Sequence, residues 1–181
     1  DDVLQGLHAL AAAQEAMRET LLRMPERCDP YIYYSRVRPY IHGWKNSPSL
    51  PQGVVYEGVA DYAQRPQQFR GETGSQSSIV PALDAGLGIP HADDPLTQYL
   101  VEMRDYMPPR HRTFLAALEA RTDEQHRPLL YGYARDRKAT HPDLWKAFCT
   151  CVDLLAQFRD IHIGYAERYI FQQHQSHASN P

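Results

Sequence analysis

Apolar residues recur every three to four positions along most of this chain and almost nowhere alternate with polar ones. Residues 2–24 place Leu4, Leu7, Ala11, Leu21 and Met24 at near-helical spacing, with Arg and Glu on the other side. The clearest pattern comes last, after "ATHPDLWKAF", where Thr140 and Asp143 stand in capping-box relation and Pro142 sits just inside the helix. Its apolar stripe runs Trp145, Phe148, Val152, Leu155, Phe158, His162, Ala166 and Tyr169. The spacing therefore puts His162 in the seam and not on the wet face. With no strand alternation and no internal repeat, the chain is expected to be all-α.

Punctuation fills in the other elements. In "CDPYIYYSRVRPYIHGW" (Cys28–Trp44), Asp29 is a plausible N-cap, Pro30 takes the first helical position, and Pro39 should end or kink the helix. Residues 45–75 are rich in Pro, Gly, Ser and Gln, a connection long enough to be functional or mobile. A helix is expected from Ser77 to Gly86 or Gly88. Another is expected at "DDPLTQYLVEMRDYM", capped by Asp93 or Asp94 with Pro95 in its first turn, and Pro108–Pro109 breaks it before Arg110–Arg121 resumes. The polar tail, residues 172–181, is expected to be disordered.

Composition narrows the chemistry. The 181 residues suffice for one sizeable domain, 1–181. A net charge of −3 gives no electrostatic case for nucleic acid or an anionic membrane, and no apolar run approaches the ~20 residues of a membrane span. The start, "DDVLQGLHAL", lacks the basic and apolar regions of a signal peptide. Cys28, Cys149 and Cys151 are too few for a disulfide framework and read as packing thiols, which fits a reducing, cytoplasmic setting. Glycine patterns of phosphate loops, dinucleotide folds and hydrolase nucleophile elbows are missing.

Three groups of side chains remain. His162 has no His, Cys or carboxylate three or four residues on to complete a zinc site, but a single helical imidazole is all that heme needs on its proximal side. The other reading is a core histidine with a local partner. Arg159, one turn earlier, is either a surface arginine or a partner for a heme propionate. "YIYYSRVR" interleaves Tyr31, Tyr33 and Tyr34 with Arg36 and Arg38. That set suits a flat aromatic ligand bearing a carboxylate, or simply an aromatic core with surface arginines. His174 and His177 share a face of the tail but are weak metal evidence. His42 and His91 read as loop or helix-end residues.

Taken together, "CDPYIYYSRVRPYIHGW", "GVVYEG", "FRGETGSQSSIVPALDAGLGI", "YLVEMRDYMPPRHRTFL" and "FRDIHIGYAERYI" occur in the order found in the indoleamine 2,3-dioxygenase family, which this chain resembles over most of residues 28–171. The resemblance is closer to fungal and bacterial members than to mammalian ones. It implies a helical heme domain in which His162 is the proximal ligand of heme b (iron protoporphyrin IX). By the same resemblance Arg159 contacts a propionate and Asp84 pairs with Arg159. Arg38 matches the arginine that holds the substrate carboxylate, and Tyr33 an aromatic position beside the indole. Gly71, Glu72, Thr73 and Gly74 match a flexible loop over the distal heme face.

The implied reaction inserts both atoms of dioxygen across the indole C2–C3 bond of L-tryptophan, giving N-formyl-L-kynurenine, a step of tryptophan catabolism. No general base is obviously required. Members of the family carry an N-terminal small domain before the point where this chain begins, and a "GTGGT" loop after the point where it stops. The chain is therefore expected to be the large C-terminal domain of a longer protein, with the missing N-terminal segment as a further partner. Two alternatives stay open: an indole mono-oxygenase or peroxygenase, for which Tyr33 is the residue to probe, and a non-catalytic heme-binding module.

Overall fold

A computed structural model describes residues 2–178, with only the backbone of His177 and Ala178. Contacts divide the chain into two compact units where the sequence reading expects one domain. The first takes Asp1–Arg27 and Ser75–Ala166, and the second Cys28–Gly74 with the chain from Glu167 on. The described residues are helical with no strand; only isolated bridges such as Val54 with Gln67 occur.

In the first unit, α1 (Asp2–Leu22) lies along α7 (Pro142–Ala166), and α3 (Ile79–Leu87), α4 (Pro95–Met103), α5 (Pro109–Glu119) and α6 (Leu129–Asp136) complete it. The two long helices run parallel. The Cys151 thiol donates to the Leu7 carbonyl at 3.3 Å and the Tyr165 hydroxyl to the Leu22 carbonyl at 3.3 Å, so both chains advance together. Leu7, Leu87, Ala134, Leu144, Ala147, Phe148, Cys151 and Leu155 form the core. Each large side chain buried there contributes about 1.5–3 kcal/mol.

Local signals set most helix ends. Asp94 accepts from the Thr97 N–H at 2.8 Å ahead of Pro95, and Gly88, at φ +70°, closes α3 in the left-handed region that suits glycine. Thr140 does not cap α7 as expected. Its hydroxyl donates to the Arg137 carbonyl and meets the His141 ring instead. The short α6 has no counterpart in the periodicity. It is reached through a turn in which Asp123 accepts from the backbone N–H of Gln125 and Arg127, and Arg127 also binds Asp136.

In the second unit, Asp29 caps α2 (Pro30–Ile32) by accepting from the Ile32 N–H at 2.9 Å. The chain then widens into a π turn, Tyr33–Val37, closed by the Arg38 N–H on the Tyr33 carbonyl, and tightens to a 3₁₀ turn at Arg38–Tyr40. Pro39 has no N–H to continue an α-helix, so the hydrogen-bond register changes there. The long connection after it has a small core of its own. Tyr56, Tyr62 and Phe69 pack ring against ring at 5.6–6.0 Å, and the Trp44 indole N–H donates to the Tyr56 hydroxyl at 2.9 Å. The tail expected to be disordered from residue 172 is instead helix α8 (Gln172–Ala178), after a second π turn at Glu167–Phe171. Residues 179–181 of that expectation lie outside the described residues.

Candidate functional site

In the first unit the candidate residues cluster on α3 and α7. Arg159 Nη2 lies 2.6 Å from Asp84 Oδ1 and 2.7 Å from Asp84 Oδ2, across 75 positions of sequence. Asp84 is one of two buried polar residues among the described ones. A carboxylate there needs partners to offset the cost of leaving water. It has a second one in His91, whose Nε2 is 3.1 Å from Oδ2. From sequence His91 reads as a loop or helix-end residue, and no local pattern marks it as a partner of Asp84. The glycine cap at Gly88 turns the chain back, which returns a side chain seven residues on to the face of α3 it has just left.

Arg159 uses one nitrogen on Asp84, and its Nε and Nη1 make no hydrogen bond among the described residues. His162, one turn further along α7, is exposed, which differs from the seam position its spacing suggests. The buried residues of α7 are Leu144, Ala147, Phe148, Cys151 and Leu155, all in its first half. Periodicity specifies a face of a helix but not whether another element covers it. Beyond Leu155 the two helices are less tightly packed, and an open groove of about 570 Å³ lies between Phe158 and Ala13, Ala16, Met17, Thr20 and Leu21. The His162 ring has no hydrogen-bond partner among the described residues, and Ile163 beside it is 64% exposed. Those residues hold no group of three or more His, Cys, Asp or Glu side chains suited to a metal ion.

In the second unit the π turn carries the aromatic and basic residues. The Tyr33 ring is half-buried and edge-on to Tyr169, centroids 5.9 Å apart at 81°. Tyr169 is itself buried and donates its hydroxyl to the Cys28 carbonyl at 2.7 Å. The half-buried Arg38 guanidinium carbon lies over the Tyr34 ring, 5.6 Å from its centroid, and its N–H donors make no hydrogen bond among the described residues. Gly71–Gly74 is less free than a flexible loop would be. A Cβ on Gly71 would fall 1.7 Å from the Ile41 carbonyl oxygen, so the backbone is pinned against residues 41–43. Gly74 opens a short 3₁₀ turn, Gly74–Gln76, with open space around its Cα.

The family model described as indoleamine 2,3-dioxygenase matches residues 1–181. The chain belongs to the indoleamine 2,3-dioxygenase family. It is 37% identical over 168 residues to indoleamine 2,3-dioxygenase 1 of Rattus norvegicus, a match covering 92% of this chain and 39% of the relative. Indoleamine 2,3-dioxygenase of Saccharomyces cerevisiae is 35% identical over 191 residues, covering 99% of this chain and 40% of the relative. A protein named myoglobin, from Haliotis madaka, is 36% identical over 166 residues, with 91% and 41% covered. The chain thus spans about two fifths of the length of the curated relatives it matches.

Family membership implies a heme cofactor, and the side chains of the first unit suit one. Heme needs an imidazole not committed elsewhere, an apolar surface and cationic donors for its propionates. His162 is accessible and unpartnered among the described residues, Ile163 and Phe158 supply apolar surface, and Arg159 retains donors while Asp84 holds its guanidinium. No helix of the described residues is long and apolar enough to cross a membrane.

Proposed function

We propose that this chain carries heme- and substrate-binding residues of a heme dioxygenase acting on L-tryptophan. Its product would be N-formyl-L-kynurenine. The observation that carries the reading is the pair formed one turn apart on α7: an exposed, unpartnered His162 beside an Arg159 whose geometry Asp84 fixes. His162 would ligate the iron, and Arg159 would hold a propionate with the donors it keeps free. When bound, the heme supplies dioxygen activation and cleavage of the indole C2–C3 bond.

The protein's own share is positioning. Arg38 offers a planar fork of donors to the substrate carboxylate, with its guanidinium in cation–π contact with Tyr34. Losing such a charge-assisted contact costs about 1.5–3 kcal/mol, roughly ten- to a hundredfold in binding. Tyr33 presents a half-buried ring whose hydroxyl has no hydrogen-bond partner among the described residues. That leaves it able to pack on an indole or donate to it. No proton transfer by the protein is needed in this scheme, and no side chain is assigned as a general base.

Absorption spectra after hemin addition test the reading, oxidised and reduced, with and without L-tryptophan. A Soret band that shifts with tryptophan and is lost in His162→Ala is the expected result, followed by a product that has gained two oxygen atoms. Normal heme binding by His162→Ala would remove the ligand assignment. A second reading, heme binding without turnover, is favoured by the relative named myoglobin. It predicts the same His162-dependent spectrum with no product from any indole.

A further inference from the structure

The tail histidine His174 reaches the tyrosine that lies against Arg38, the arginine on which the proposed substrate site depends. Its Nδ1 lies 3.0 Å from the Tyr34 hydroxyl, across 140 positions of sequence. The Tyr34 ring in turn has the Arg38 guanidinium carbon 5.6 Å from its centroid. Tyr34 and Arg38 are four residues apart on the widened turn, so the ring forms a shelf under the guanidinium. A tyrosine ring turns about its Cα–Cβ and Cβ–Cγ bonds. A bond at its far end, to a residue on α8, removes that freedom.

We propose that Tyr34 and His174 act as positioning residues that hold Arg38 oriented for a ligand carboxylate, and so set the chain's preference for amino-acid over decarboxylated indoles. This rests on the assignment of Arg38 to the carboxylate. The guanidinium lies within cation–π distance of the Tyr34 ring, and its N–H donors make no hydrogen bond among the described residues. For the Tyr34 hydroxyl to donate to Nδ1, the proton of the neutral His174 ring must sit on Nε2. A phenylalanine at 34 would keep the shelf and lose the tether. The phenol of Tyr33, by contrast, has no such partner among the described residues, so the two adjacent tyrosines have different roles.

The experiment compares the affinities of L-tryptophan and tryptamine, which differ only in the carboxylate, by calorimetry on the chain with hemin added. Wild type should favour L-tryptophan, and Arg38→Met should abolish that preference. Tyr34→Phe and His174→Ala should each cut it about two- to tenfold, the range of one neutral hydrogen bond, and their double variant should lose no more than either alone. His174→Gln, whose amide oxygen can accept from the phenol, should restore it. A purely structural role would weaken both ligands alike. If Arg38→Met abolishes the preference and the Tyr34 and His174 variants leave it intact, the positioning role is wrong while the Arg38 assignment stands. If wild type shows no preference, or Arg38→Met leaves it unchanged, the Arg38 assignment fails and the positioning role with it. Independently of ligand, ¹⁵N shifts of the His174 ring should report an Nε2–H tautomer that Tyr34→Phe disturbs. Ring shifts of His174 that Tyr34→Phe leaves unchanged would overturn the proposal.

Discussion

Replacing Asp84 by asparagine removes one charge with little change of shape, so it weakens the contacts of Asp84 with Arg159 and His91, and a double-variant cycle separates the Arg159 share. Both carboxylate oxygens are within 2.7 Å of the same nitrogen, Arg159 Nη2, which makes one strong charge-assisted contact and not a two-nitrogen fork. The Asp84 side chain is 11% exposed and that of Arg159 34%. Hydrogen bonds to charged groups contribute about 1.5–3 kcal/mol, and the part-exposed arginine recovers some of that from water. Asparagine still offers one acceptor, so the net loss should be about 1–2 kcal/mol. For a chain of this size that lowers Tm by about 2–8 °C. Calorimetry of Asp84→Asn, Arg159→Met and the double variant, all without hemin, gives the coupling directly. A coupling of at least about 1 kcal/mol is expected for groups in contact. A Tm shift below about 1 °C together with zero coupling would mean that Asp84 does not hold Arg159.

Two glycines should respond oppositely to alanine, as urea unfolding would show. Gly86 lies inside α3 with nothing within 4 Å of an added Cβ, so Gly86→Ala should stabilise by about 0.5–1 kcal/mol. Gly71→Ala would drive a methyl into the Ile41 carbonyl and should destabilise the second unit by several kcal/mol, as for other severe backbone clashes. Acid sensitivity should involve Asp136. Hydrogen bonds from Arg127 hold its carboxyl below the ordinary value, so the folded chain takes up that proton less readily than the unfolded one. The stabilisation is complete above the unfolded pKa of about 3.9 and is lost as pH falls through the lower folded value. Asp136→Asn should flatten the acid limb of a Tm-against-pH curve, and an unchanged limb would exclude the pair as a source of it.

Much of this was legible in the chain because the forces involved act over three or four residues. The helical period, the caps at Asp29 and Asp94, the prolines at 30 and 95 and the glycine stop at Gly88 each depend on neighbours in sequence, and each stands where the pattern places it. Motifs in fixed order were enough to identify the family, which the match over residues 1–181 then showed. Burial, in contrast, depends on what packs opposite. His162 shares its stripe with Leu155 and Phe158 yet is exposed, and the buried residues of α7 all lie in its first half. Partners on Asp84 and Tyr34 were equally hidden from pattern. His91 returns to Asp84 around a glycine turn, and His174 reaches Tyr34 from a helix in what composition marks as a tail. By itself, then, the sequence determined the helical class, several of the helix ends and the family, and it offered candidate residues for the chemistry. Only the tertiary structure decided which of those residues are held, and by what, since a side chain's partner is set by the path of the whole chain and not by its neighbours in sequence.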